Sequence, residues 1–102
     1  GRQKMKLYKD QTVAGTFYFN KTDGAPEATT LQSTVFGSGA VTITVTWEQS
    51  IDGKAYNELG SQVISGTNLA SESLRVFTKS PSIRAVVTGL SGSSNFNLGI
   101  AD

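Results

Sequence analysis

Eight carboxylates are the side chains of this chain best suited to acid, base or cation-binding work: Asp10, Asp23, Glu27, Glu48, Asp52, Glu58, Glu72 and Asp102. The chain has no His and no Cys. Thiolate nucleophiles, disulfides, Cys/His metal sites and imidazole acid–base catalysis are therefore excluded. The 24 Ser and Thr hydroxyls have no imidazole to activate them, and no Ser–Lys dyad stands out. Glycoside hydrolysis needs two carboxylates held at a set separation, whereas these acids are scattered over turns and wet strand faces. Calcium needs six or more oxygens. Asn20, Asp23 and Glu27 could converge in one loop, as could Asp52 with Asn57 or Glu58, but neither group follows a known calcium-loop grammar. The expectation is a protein that is not an enzyme, with no catalytic residue, no metal site and no cofactor.

Asp23-Gly24 and Asp52-Gly53 have a simpler reading as turn residues. Glycine supplies the positive φ of a tight turn, and the Asp carboxylate bonds nearby backbone amides. The aromatics with a polar tip are Tyr8, Tyr18 and Tyr56. Tyr18 and Tyr56 suit a partly wet surface on which a saccharide ring could stack. That gives one candidate function, a carbohydrate-binding or adhesion module. The structural alternative for each tyrosine is a place at the edge of the core.

The basic groups are unevenly spread. Arg2, Lys4, Lys6 and Lys9 fall in the first nine residues with no acid among them, and the remaining chain carries a net charge of −3. A solvated terminus is one reading. The sharper one is an extended arm, residues 1–12, ahead of a body at 13–102. Arg2, Lys4, Lys6, Leu7, Tyr8 and Lys9 would then dock on a protein partner, by adding a strand to an open sheet edge. Four charges without interleaved aromatics make nucleic acid a weak expectation.

The elements that must position these residues read as strands. Val41, Ile43, Val45 and Trp47 alternate with Thr42, Thr44, Thr46 and Glu48, which puts one set inward and the other toward water. After the Asp-Gly turn the chain re-enters an extended stretch at 55–59, which Gly60 ends. Shorter strands are expected at 16–20, 29–36, 62–66, 73–79, 82–88 and 95–101. Gly37-Ser38-Gly39 reads as a connection between two strands, and Asn68 to Leu74 as a single helical turn capped by Asn68 or Ser71. The Gly/Ser loop at 89–94 reads as a hairpin between the last two strands. The expected core holds Phe17, Phe19, Leu31, Val35, Val41, Ile43, Val45, Trp47, Leu74, Val76, Ile83, Ala85, Val87, Phe96 and Leu98.

With 102 residues the chain fits one domain. No apolar run approaches the ~18 residues of a membrane-spanning helix, so no membrane partner is expected. Eight short strands separated by Gly, Asn, Asp, Ser and Pro clusters predict an all-β fold. Its form would be a single antiparallel β-sandwich of about eight strands, jelly-roll or Ig-like.

The stretch Val41-Thr42-Ile43-Thr44-Val45-Thr46-Trp47-Glu48-Gln49-Ser50-Ile51-Asp52-Gly53 resembles a pattern of small bacteriophage virion structural proteins. In those a Thr/Val strand ends in an S-x-D-G turn followed by an aromatic, here Tyr56. Ser82-Ile83-Arg84-Ala85-Val86-Val87-Thr88-Gly89 is similar to their Y-[IV]-R-[VA]-x-[VI]-T-G strand. It departs from that strand in having Pro81 or Ser82 at the aromatic position. Phe96-Asn97-Leu98-Gly99-Ile100 is similar to their final short strand. The resemblance covers about residues 28–102. It implies a non-enzymatic component of a virion, a decoration or cement protein bound to the phage head by surface complementarity, with a tail or fibre module close in class. It implies capsid or tail protein as partner and a homo-oligomer, first of all a trimer.

Overall fold

The computed structural model describes residues 5–20 and 27–101. They form six strands: β1 (Met5–Gln11), β2 (Thr16–Asn20), β3 (Glu27–Ser50), β4 (Asn57–Thr78), β5 (Ser82–Leu90) and β6 (Asn95–Ala101). Every pairing is antiparallel, in the order β1-β6-β3-β5-β2, with β4 on the other edge of β3. The expected Asp23-Gly24 turn, Arg2 and Lys4 lie outside the described residues.

The all-β, antiparallel class is as the alternation predicts, but the strands number six rather than about eight. The expected strands at 55–59, 62–66 and 73–79 run together as β4, Met5–Gln11 adds β1, and the strands expected on either side of Gly37-Ser38-Gly39 run together as β3. Gly37-Ser38-Gly39 is instead a bulge within β3, where the register against β4 shifts between Phe36 and Ala40. Opposite them stands Asn68. Gly39 has φ 86° and Asn68 φ 67°, and the Gly39 amide donates to Asn68 Oδ1 at 2.8 Å. Both residue types tolerate this left-handed region. Asn68 therefore turns the chain without ending the strand, and 68–74 is extended in place of the expected helical turn.

The bulge divides β3 between two neighbours on one edge. Thr30–Phe36 pairs with β6, and Ile43–Ser50 pairs with β5. The last two strands are consequently not a hairpin. Residues 91–94 carry the chain past the bulge from one half of β3 to the other, anchored by Ser91, whose amide donates to the Thr42 carbonyl at 3.0 Å. The sheet bends so that its ends come together through side chains. Tyr8 on β1 meets Phe19 on β2 edge-on at 5.0 Å, and its hydroxyl donates to the Tyr18 carbonyl at 2.8 Å. The result is a nearly barrel-like sheet around one core.

Twelve of the fifteen expected core residues are buried, from Phe19 and Leu31 to Trp47 and Leu98, while Phe17, Leu74 and Val76 pack against them half-buried. Ile64 and Ile100 join them. Full burial of each aliphatic or Phe side chain contributes about 1.5–3 kcal/mol. Gln62 is the largest of the buried polar side chains among the described residues. Its Oε1 accepts from Trp47 Nε1 at 2.9 Å and Ser33 Oγ at 2.7 Å, and its Nε2 donates to the Glu72 carbonyl at 3.0 Å. Each polar atom of the amide thus has a partner, as burial requires.

Candidate ligand-binding face

The alternation that sends Phe17 and Phe19 inward sends Tyr18 outward, and Tyr18 is 54% exposed. On β5, Arg84 stands between the buried Ile83 and Ala85, so it faces the same side. On β3, Glu48 follows the buried Trp47 and does likewise. The register then aligns them: Tyr18 opposite Arg84, Arg84 opposite Glu48, and Glu48 opposite Glu58 on β4. Tyr56, just ahead of β4, closes over this rung.

Arg84 holds the group together. Its Nε donates to Glu48 Oε1 at 2.6 Å, and its guanidinium carbon lies 3.9 Å from the centroid of the Tyr56 ring. The rings of Tyr18 and Tyr56 meet edge-on, with centroids 6.3 Å apart. The hydrogen bond that Arg84 donates to Glu48 raises the Arg84 pKa, with a smaller contribution in the same direction from Tyr18. Arg84 also offsets the like-charged Glu48–Glu58 pair, which would otherwise be unfavourable across a ladder.

This face offers aromatic rings beside guanidinium N–H donors and carboxylate acceptors. Such a set can stack on the apolar face of a ring and hydrogen-bond its hydroxyls. Tyr18 and Tyr56, singled out in the sequence as a ligand surface, are thus brought together. Arg84 and Glu48 were not singled out. The signal for them was their outward position in two strong alternations, and what the sequence lacked was the register that joins them.

The other expected site residues lie elsewhere. Lys6, Leu7 and Lys9 are exposed on β1, whose residues pair with β6 of the same sheet. Tyr8 turns inward and packs against Phe17 and Phe19. Asp52 is a turn residue. It accepts from the Lys54 and Ala55 amides at 2.8 and 3.0 Å and from Ser50 Oγ at 2.8 Å, while Gly53 takes φ 76°. The amide bonds, led by Lys54, lower its pKa to about 2. The loop is longer than a tight hairpin, because β4 begins only at Asn57 and then runs through Gly60. Among the described residues no group of three or more acids could hold a metal ion. A concavity of about 290 Å³ lies apart from this face, between β1, β6 and β3, with Met5 and Leu7 on one side and Gln32 on the other. None of the described residues that line it is titratable.

No protein-family model matches the chain, and no curated protein matches it. Among solved structures, the Yersinia pseudotuberculosis-derived mitogen aligns with TM-score 0.52 at 13% identity, over 98% of this chain and 84% of that one. A protein from Sulfurospirillum deleyianum aligns with TM-score 0.51 at 8% identity, over 98% and 96%. At these identities the likeness is one of fold alone.

Proposed function

We propose that the chain is a non-enzymatic binding module and that its ligand is a saccharide, held on the face of Tyr18, Tyr56, Arg84 and Glu48. The observation that carries this reading is the convergence of two tyrosines and an Arg–Glu pair, from four separate segments, on one outward face of the sheet. Aromatic side chains exposed on a rigid sheet, with a charged pair already oriented beside them, are unfavourable surface unless something covers them. The scaffold is read as a two-layer β-sandwich. Support for that comes from the bulge at Gly37–Gly39, which gives the two halves of β3 different neighbours, β6 and β5. The test is a glycan array. Specific binding to one saccharide class, lost in Tyr18→Ala and Tyr56→Ala variants that retain the β-type circular dichroism spectrum, is the expected result. An array with no specific binding overturns the reading.

A structural virion protein is the second reading, and the exposed Met5 and Leu7 on an edge strand favour it, since a sheet edge with apolar side chains suits a capsid or tail partner. It places the chain in the virion. Purified particles containing many copies of the chain would support it, and particles without the chain would exclude it.

A further inference from the structure

We infer that the chain pairs with a second copy of itself through the C-terminal half of β4, antiparallel and two-fold symmetric about Ser73. Among the described residues β4 is hydrogen-bonded to β3 alone, so its other edge is open along the strand. Open edges are usually guarded by Lys, Pro or a bulge. β4 contains neither Lys nor Pro, and its backbone irregularity at Asn68 falls just outside the segment 69–77.

The side chains of this segment are self-complementary. Leu69, Ser71, Ser73, Arg75 and Phe77 share the outward phase, and Leu69 and Phe77 are 63% and 78% exposed. They stand four residues on either side of Ser73. Antiparallel pairing about Ser73 places Leu69 of each copy opposite Phe77 of the other, so four exposed apolar side chains become two cross-strand pairs. Arg75 falls opposite a Ser71, and the small Ser73 side chains meet at the axis. Glu72 and Arg75 leave the segment neutral, so no like-charge pair opposes the association. The Glu72 carbonyl accepts from Gln62 and keeps its second lone pair. Glu48, Arg84 and Tyr18 lie on the other half of the sheet and stay uncovered, so a dimer would carry two ligand faces and gain avidity for a repeated ligand. An interface of one strand pair is small, and a concentration-dependent equilibrium follows rather than a permanent dimer.

The experiment combines sedimentation velocity on the full chain with cross-linking. The wild type should shift from monomer to dimer as concentration rises. Leu69→Lys/Phe77→Lys should stay monomeric with an unchanged circular dichroism spectrum. The chain has no cysteine, so Ser73→Cys should oxidise to a disulfide-linked dimer on a non-reducing gel. Leu69→Cys alone should not, because the two positions would lie about 27 Å apart in this register at about 3.4 Å per residue. A wild type that remains monomeric throughout overturns the inference. So does a Leu69→Cys variant that cross-links as readily as Ser73→Cys, whatever the lysine variant does.

Discussion

Arg84 lies over the ring of Tyr56, its guanidinium carbon 3.9 Å from the centroid, while its Nε donates to Glu48 at 2.6 Å. Glu48 and Tyr56, on either side of the Asp52 turn, therefore fix one cation from two directions. A planar guanidinium can stack and donate at once, which an ammonium cannot. Arg84→Lys should change the thermal melt only slightly, because a half-buried ion pair at the surface contributes little and a lysine retains the charge. It should weaken saccharide binding measured by titration calorimetry. Equal affinity in the two proteins would remove Arg84 from the site.

Trp47 and Gln62 form a buried unit of a different kind. Trp47→Ala removes a fully buried ring and should cost about 3–5 kcal/mol. Gln62→Leu keeps the volume but leaves the Trp47 and Ser33 donors without their acceptor, at about 1–3 kcal/mol for each buried group left unpaired. Urea denaturation of both variants checks these values.

Asp52 links stability to pH. Its pKa falls from 3.8 in its ordinary state to about 2 in the fold. The folded form therefore favours the carboxylate. The resulting stabilisation is fully present above pH 3.8 and is lost as pH falls through about 2. Asp52→Asn should be less stable than the wild type at neutral pH, and the gap should narrow steadily below pH 3.8. Denaturation curves at several pH values would show a constant gap if the carboxylate contributes nothing.

The core and the outward faces were legible in the sequence because period-two alternation depends only on local residue order. Val41 to Glu48 is the clearest case, and the outward positions of Tyr18 and Arg84 follow from the same logic. Continuity through Gly37-Ser38-Gly39 was not legible, since glycine marks a bulge and a loop alike. Asn68 carried the same ambiguity, because one left-handed residue serves a bulge as well as a helix end. Gln62 was hidden by the adjacent Val63 and Ile64, which leave the phase of that segment undetermined. Only the pairing of β3 with both β5 and β6 settles which residues share a rung, and pairing between distant segments leaves no local trace. That is why the sequence points to Tyr18 and Tyr56 separately but not to the Arg84–Glu48 pair between them.

The bulge itself can be probed through its backbone. A methyl group at Gly39 would touch nothing within 4 Å, so Gly39→Ala tests conformation alone. At φ 86° the alanine should cost about 1 kcal/mol. Asn68→Gly keeps the permitted φ and loses only the Oδ1 acceptor, whereas Asn68→Ala loses both. Thermal melts should rank wild type above Asn68→Gly and Asn68→Gly above Asn68→Ala. The reverse order of the two variants would mean that φ does not govern this position.

A two-dimensional amide NMR titration of the full chain with saccharides chosen from the array tests the proposed ligand face most directly. The predicted result is saturable shifts confined to Tyr18, Tyr56, Arg84, Glu48 and their immediate neighbours, absent in Tyr56→Ala. Saturable shifts centred instead on Met5, Leu7, Gln32 and Asn97, or no saturable shift with any saccharide, would contradict it.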